Sequence, residues 1–150
     1  MANDNINIGI VGLGFMAAMH IRAYRKIDGV TVAAICDLDP ERLKGDFTEV
    51  SGNIEADEPV ILDMSQVKAY QDFKELLADD SIDAIDICTP TRTHLFMAKP
   101  ALASGKHVIC EKPLARNIAD ATELVEAAEQ AKGQFMVGMC LRFWPQWAWL

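Results

Sequence analysis

Short runs of apolar, β-branched residues alternate along this chain with longer segments in which apolar positions recur every three or four residues. The short runs predict strands, and their nearly continuous apolar character is typical of parallel strands that are covered on both faces. The predicted strands are 6–11, 30–36, 84–88, 107–110 and 134–139.

The longer segments have the period of helices, and residues that start or stop helices stand at their ends. The predicted helices are 17–26, 40–47, 72–79, 93–104 and 118–132. Glycines at positions 29, 105 and 133 follow helical segments, whereas Pro40 and Asn117 stand where helices begin. A repeated strand–helix alternation predicts an α/β fold, a doubly wound parallel sheet with helices on both faces.

One stretch fits neither pattern. Residues 48–70 are too many for a simple connection, although 67–70 could form a short third strand. We therefore expect 48–66 to be an acidic surface excursion. Within the fourth helix, Pro100 predicts a kink or a restart.

Composition narrows the class of protein. The 150 residues suit one domain, and 51% apolar with 24% charged residues is typical of a soluble globular chain. No apolar run approaches the roughly 20 residues that span a membrane. The polar N-terminus lacks the pattern of a signal peptide, so we expect a cytoplasmic protein without membrane contact.

The charge is unevenly distributed. Residues 37–86 hold 15 acidic and 4 basic residues, a net −11, within a chain whose net charge is −8. This acidity argues against a nucleic-acid partner. Because the charges alternate with apolar residues, the simplest interpretation is a solvated acidic face.

The four cysteines do not suggest a metal or disulfide site. Cys36, Cys88, Cys110 and Cys140 have no C-x-x-C spacing, and each ends an apolar run. We expect them to be reduced, buried and inert, and we predict no metal ligand in the chain.

A glycine-rich loop joins the first strand to the first helix, in the pattern Gly12-x-Gly14-x-x-Ala17. Between a strand and a helix, with an acidic residue about 20 positions later, this pattern predicts the dinucleotide site of a Rossmann fold. Asp37 ends the second strand, 20 residues after Ala17. The residues predicted to bind the pyrophosphate are Gly12, Leu13, Gly14, Phe15, Met16 and Ala17.

Asp37, the acidic residue of this pattern, affects whether NAD or NADP binds. Asp37 would accept hydrogen bonds from the adenosine ribose hydroxyls and repel the 2′-phosphate of NADP, which favours NAD. Arg42 is near enough in the sequence to reach a phosphate, and this keeps NADP open as the less favoured cofactor.

Polar residues also follow the fourth and fifth strands, in "DICTPTRTH" (86–94) and "HVICEKPLA" (107–115). The carboxyl ends of parallel strands meet at the edge where ligands bind in doubly wound sheets. We therefore expect Thr89, Pro90, Glu111 and Lys112 to converge on the cofactor, with Lys112 facing its nicotinamide half.

These stretches together resemble the Gfo/Idh/MocA family of oxidoreductases. The resemblance rests on "GIVGLGFMAAMH" (9–20), 86–94, "GKHVICEKPLA" (105–115) and "GMCLRFWP" (138–145). It implies a Rossmann domain that binds NAD or NADP, followed by a second α/β domain that holds a sugar, polyol or related small molecule. It also implies a homo-oligomer.

The resemblance extends to single positions. Thr89, Pro90 and His94 match the segment that lines the cofactor in the family, although Thr91 stands where an Asn is common. Glu111 and Lys112 match the signature pair, with the lysine between nicotinamide and substrate. Arg142 matches a position close to the cofactor or to the domain junction.

The chemistry of hydride transfer supports a role for Lys112 independently. Charge develops on the substrate oxygen, and a fixed ammonium can stabilise it or relay a proton to it. Glu111 could instead simply pair with Lys112 or with a backbone donor. For His20, packing within the first helix and contact with a ligand are equally open.

Three functions remain in competition at this stage. The first is an NAD-dependent oxidoreductase acting on a hydroxyl of a sugar or cyclitol. The second is an NAD-dependent glycosidase of the same family, and the third is a non-catalytic dinucleotide-binding module.

The end of the sequence is unusually aromatic. Trp144, Trp147 and Trp149 lie within 141–150, which in the resembling family begins the crossover to the second domain. We expect residues 1–150 to be the cofactor-binding domain alone and to be inactive in isolation. Uncovered tryptophans should also drive self-association, unless they fold back onto the edge of the sheet.

Overall fold

A computed structural model of the chain describes residues 5–52 and 59–149. The strands are β1 Ile6–Val11, β2 Val30–Cys36, β3 Lys68–Tyr70, β4 Ala84–Ile87, β5 His107–Cys110 and β6 Phe135–Val137. The α-helices are α1 Phe15–Tyr24, α2 Phe73–Leu77, α3 His94–Ala103 and α4 Ile118–Gln130. Short 3₁₀ turns lie at Arg42–Lys44, Thr91–Thr93, Cys140–Phe143 and Pro145–Trp149.

The strands form one parallel sheet in the order β3-β2-β1-β4-β5-β6. This is the order of a Rossmann fold, and it confirms the predicted fold class. After β1 the chain adds β2 and β3 on one side of it, and it then adds β4, β5 and β6 on the other side. The strand order therefore reverses between β1 and β4. Ligands of such sheets bind outside the carboxyl ends of the strands at this point.

Two apolar cores lie on opposite faces of the sheet. Alternation along β4 sends Ile85 and Ile87 into the core beneath α2, α3 and α4, whereas Ala84 faces the core beneath α1. Strand β1 alternates in the same way, with Ile8 and Ile10 facing α1. Among the described residues, no helix is both long and apolar enough to cross a membrane.

The predicted helix at 40–47 is wrong. Only the 3₁₀ turn Arg42–Lys44 forms there, because Gly45 adopts a left-handed conformation with φ of 74° and turns the chain back. Phe47 is buried instead, and its N–H donates to the carbonyl of Val60 at 2.9 Å.

The excursion at 48–66 is not only a surface loop. Val60 and Leu62 are buried in the core beneath α1, and Ile61 forms an antiparallel bridge with Asp46. The part of the prediction that covers 53–58 falls outside the described residues. The segment at 59–66 therefore helps to cover one face of the sheet at β2, as crossover helices cover the other strands.

Two other details differ from the expectations. Helix α3 runs through Pro100 without a break, since this residue is exposed and lies in the last turn, where only one N–H bond is lost. Gly133 has no positive φ and is no helix stop; a Cβ there would collide with the carbonyl of Lys106. Asn117 does cap α4, accepting a hydrogen bond from the N–H of Asp120 at 2.9 Å.

The cysteines also separate into different environments. Cys36 and Cys110 are buried as expected, and burial raises the pKa of each thiol to about 12. Cys140 is exposed, because it lies in a 3₁₀ turn after β6 and not at the end of a strand. Cys88 is half-buried and contacts polar groups.

Candidate functional site

A cleft of about 600 Å³ opens at the carboxyl ends of β1, β2 and β4, where the strand order reverses. Its size is within the range of cofactor sites. Its lining includes the loop after β1, the end of β2 and the loop after β4. The predicted residues that line it are Gly12, Leu13, Gly14, Phe15, Met16, Asp37, Thr89 and Pro90. Ala17, also predicted to bind the pyrophosphate, does not line the cleft, because it is fully buried in the core beneath α1.

The glycine loop is held between the neighbouring strands. Gly12 has a φ of 85°, and its N–H donates to the carbonyl of Cys36 at 2.9 Å. A Cβ at Gly12 would lie 2.6 Å from Cγ2 and 2.9 Å from the amide nitrogen of Thr89. Both the turn and the close approach of β4 therefore require glycine at this position.

We expect Gly12→Ala to destabilise the fold by about 2 kcal/mol, because a positive φ and a collision with the backbone at Thr89 add together. Gly105→Ala is the matched control: Gly105 has a φ of 83°, but a Cβ there meets no atom within 4 Å. Urea unfolding measures both variants. Equal losses of stability would contradict a contribution from the contact with Thr89.

The N-terminus of α1 faces the same cleft. Gly14 is its N-cap, and no side chain among the described residues caps it. The nearest atom to a Cβ at Gly14 would be Nη1 of Arg42 at 3.9 Å, so the loop has free space in front of it. Unsatisfied N–H groups and the positive end of the helix dipole suit a phosphate here.

Asp37, at the end of β2, lines the cleft beside this loop. Its carboxylate accepts hydrogen bonds from the N–H groups of Leu13 at 2.7 Å and Asp39 at 2.9 Å. These bonds fix its orientation and leave further lone pairs free for other donors. Arg42 lies at the rim and donates from Nη1 to the carbonyl of Leu13 at 3.0 Å.

His94 does not line the cleft, contrary to its predicted contact with the cofactor. It is buried, with Nε2 2.9 Å from the carbonyl of Thr89 and Nδ1 3.0 Å from the carbonyl of Pro113. The ring therefore ties the loop after β4 to the loop after β5. The family resemblance placed His94 in the segment that lines the cofactor, but its side chain turns inward at the start of α3.

Glu111 and Lys112 lie at the same edge of the sheet but outside the cleft lining. Lys112 is exposed, and its peptide bond to Pro113 is cis. Glu111 is buried and lines a second depression of about 430 Å³, which shares Met16 with the cleft. Arg142 is exposed in the 3₁₀ turn after β6 and lines neither.

A polar cluster that the sequence did not suggest lies under α1. Asp86 is fully buried in the middle of β4, where alternation points it towards α1, and its Oδ2 lies 2.8 Å from Nδ1 of His20. The hydroxyl of Tyr24 donates to the same oxygen at 2.8 Å. Cys88 places its sulfur 3.5 Å from both His20 and Asp86.

The cluster changes the proton affinity of its members. Burial alone lowers the pKa of His20, but the hydrogen bond and charge of Asp86, together with Glu111, outweigh it and raise the pKa above its usual value. Burial and the neighbouring Asp86 raise the pKa values of Tyr24 and Cys88 well above their ordinary range. The thiol and the phenol therefore stay protonated at neutral pH.

The described residues contain one group compact enough to be considered for a metal ion. The possible ligand atoms of His20, Asp86 and Cys88 all lie within 4.8 Å of one another. The 2.8 Å hydrogen bond between His20 and Asp86 already uses the atoms that a metal would need. We assign no metal ligand here.

A simple signal could have revealed this cluster. Asp86 is a lone carboxylate inside an otherwise apolar strand, and such a group must find a partner when buried. His20 and Tyr24 are four residues apart on α1 and can both face the strand. Arg92, which lines the cleft from the turn before α3, was also missed.

The cleft, its glycine loop and its acidic partner can now be compared with known proteins. Residues 6–139 match the family model described as the GFO_IDH_MocA oxidoreductase family, NAD-binding Rossmann fold. This chain belongs to the Gfo/Idh/MocA family. The match spans the glycine loop, Asp37, the loop after β4 and the Glu111–Lys112 pair.

Individual relatives agree with the family. The chain is 32% identical over 138 residues to a myo-inositol 2-dehydrogenase of Thermotoga maritima, covering 92% of this chain and 37% of that one. It is 32% identical over 134 residues to a glycosyl hydrolase family 109 protein of Shewanella pealeana, covering 89% of this chain and 28% of that one.

A solved structure agrees as well. The scyllo-inositol dehydrogenase of Lactobacillus casei, with bound NAD(H) and scyllo-inositol, superimposes with a TM-score of 0.79 at 27% identity. The match covers 97% of this chain and 39% of that one. This Gfo/Idh/MocA chain thus spans less than two fifths of the length of each of these relatives.

Proposed function

We propose that this chain binds NAD as the cofactor-binding part of an oxidoreductase that acts on a hydroxyl of a sugar, cyclitol or related polyol. The observation that carries the proposal is the cleft at the strand-order reversal, in which Asp37 faces an uncapped helix N-terminus across the glycine loop. Membership of an NAD-binding oxidoreductase family supports it.

The residues of the cleft suit the parts of a dinucleotide. The N–H groups at the start of α1, behind Gly14, would hold the pyrophosphate, and the free lone pairs of Asp37 would accept the ribose hydroxyls. The depression lined by Glu111 shares Met16 with the cleft, and Lys112 follows Glu111 in the chain. Bound NAD supplies a nicotinamide ring that accepts or returns hydride.

Lys112 would act on the substrate and not on the cofactor. Its ammonium is exposed at the end of β5, where it can donate a hydrogen bond to the substrate oxygen on which charge develops. The buried neighbour Glu111 accepts the N–H of Lys112 at 3.1 Å and so fixes the main chain from which the ammonium extends.

An assay with the complete enzyme that carries this chain, in which a substrate-binding domain is present, tests the proposal. We expect NADH to accumulate when the enzyme is supplied with NAD⁺ and a suitable member of a panel of inositols and aldoses. Release of sugar from glycosides without net formation of NADH would favour the glycosidase. That alternative is supported by the similarity to the Shewanella relative. Binding of NAD with neither reaction would leave only a binding module.

A further inference from the structure

His20 lies between two buried carboxylates. Its Nδ1 is 2.8 Å from Oδ2 of Asp86, and its Nε2 is 3.3 Å from Oε1 of Glu111. The side chains of the two acids are 0% and 8% exposed. Because α1 crosses over both β4 and the end of β5, one ring reaches a carboxylate on each.

If both carboxylates are ionised, this geometry favours a proton on each ring nitrogen. A neutral imidazole donates from one nitrogen only, whereas the imidazolium donates from both. The other titratable groups that face the ring are Cys88, at the end of β4, and Tyr24, on the same helix. Tyr24 donates its hydroxyl to Asp86, so it adds to the donors around that carboxylate.

The bridge continues beyond Glu111. The second oxygen of that carboxylate, Oε2, accepts the main-chain N–H of Lys112 at 3.1 Å. Gly138 lies close to the same carboxylate, since a Cβ there would lie 3.0 Å from Oε1 of Glu111. The carboxylate is therefore held between His20 and the main chain that it positions.

We infer that His20, as an imidazolium bridging Asp86 and Glu111, is a positioning residue that fixes the main chain at Lys112. The inference rests on the proposed function, in which the Lys112 ammonium meets the substrate oxygen. It goes beyond the competing interpretations of the sequence, because His20 here acts through Glu111 on the main chain of Lys112.

The pH at which the bridge opens follows from the electrostatics. Burial lowers the pKa of folded His20, but Asp86 and Glu111 outweigh this effect and raise the pKa above the ordinary histidine value of 6.5. The stabilisation from the bridge is therefore fully present below pH 6.5, the unfolded value, and is lost as the pH rises through the folded pKa. The main chain at Lys112 should therefore be held below pH 6.5 and released as the pH rises through the folded pKa of His20.

Nuclear magnetic resonance of the ¹⁵N-labelled chain tests the inference without cofactor or turnover. We expect both ring nitrogens of His20 to be protonated at pH 6. The amide resonance of Lys112 should shift with pH, and its midpoint should coincide with that of the His20 ring.

Three variants separate this role from a general structural one. In His20→Gln, the pH-dependent shift of the Lys112 amide should disappear while the remaining amide spectrum stays dispersed. In Glu111→Gln, the His20 midpoint should fall. His107→Gln is the matched control, because His107 is exposed at the start of β5 and should leave the Lys112 shift unchanged.

Denaturant unfolding gives a second measurement that needs no assigned spectrum. The stability lost in His20→Gln should be largest below pH 6.5 and should decrease as the pH rises. A loss that is constant with pH would overturn the inference.

Two spectroscopic results would also overturn it. One is an unprotonated Nε2 in His20 at pH 6, and the other is a Lys112 shift that persists in His20→Gln. Neither depends on NAD, whereas the proposed function fails if calorimetry detects no NAD binding. The two failures are therefore distinguishable.

Discussion

Lys112→Ala is expected to lower turnover of the complete enzyme by about 10²- to 10⁴-fold, the range typical of a lost proton donor or charge-stabilising group. The melting temperature should hardly change, because the side chain of Lys112 is exposed and follows the apolar run of β5. Steady-state kinetics and thermal unfolding of the same preparation measure both quantities.

Lys132→Ala is a suitable control for this variant. Lys132 is also exposed, but it precedes β6 and so lies at the opposite edge of the sheet from Lys112. It should keep full turnover. Full turnover in Lys112→Ala would show that the ammonium takes no part in the reaction.

The second large effect concerns the choice between cofactors. We expect the chain to bind NADH about 100-fold more tightly than NADPH, a difference of about 2.7 kcal/mol. A 2′-phosphate would remove a hydrogen bond to Asp37 and place negative charge beside its carboxylate. Calorimetry with both cofactors measures the ratio, and Asp37→Ala should reduce it to within about 10-fold.

A neighbouring carboxylate provides the control. Asp39 carries the same charge on an exposed side chain that does not line the cleft, so Asp39→Asn should keep the preference for NADH. Arg42 lies at the rim, where it could meet a 2′-phosphate once the carboxylate is gone. Equal affinities for the two cofactors in the unaltered chain would contradict the assignment of Asp37.

The strands could be predicted closely because their apolar runs are short, β-branched and bounded by charged residues or glycine. Strands β1, β2 and β5 begin and end at the predicted residues. The short strand β3 also forms within the predicted stretch. The inner strand residues of β1, β2 and β5 are buried, so local composition and tertiary environment favour the same state there.

The connection between β2 and β3 could not be predicted in this way. Its burial depends on Phe47, Val60 and Leu62, apolar positions separated along the chain by acidic residues. The hydropathy averaged over such a segment predicts a solvent-exposed surface. These side chains reach the core beneath α1 only because the chain folds back against residues that are distant in the sequence.

The site was predictable where a backbone turn needs a particular residue, and less so where side chains meet across elements. Gly12 and Asp37 stand at fixed positions relative to their strands, and both line the cleft. The contact of His20 with Asp86 joins residues 66 positions apart. Predicting this contact requires the order of the strands in the sheet as well as the alternation of side chains within β4.

The buried ring of His94 makes the alignment of two loops insensitive to the side chains that they carry. The hydrogen bonds described for the ring go to main-chain carbonyls in the two loops that it joins, at Thr89, Pro113 and Leu114. A substitution of a side chain in either loop therefore leaves the accepting carbonyls in place. The chemistry at this edge of the cleft can vary while the two loops keep their alignment.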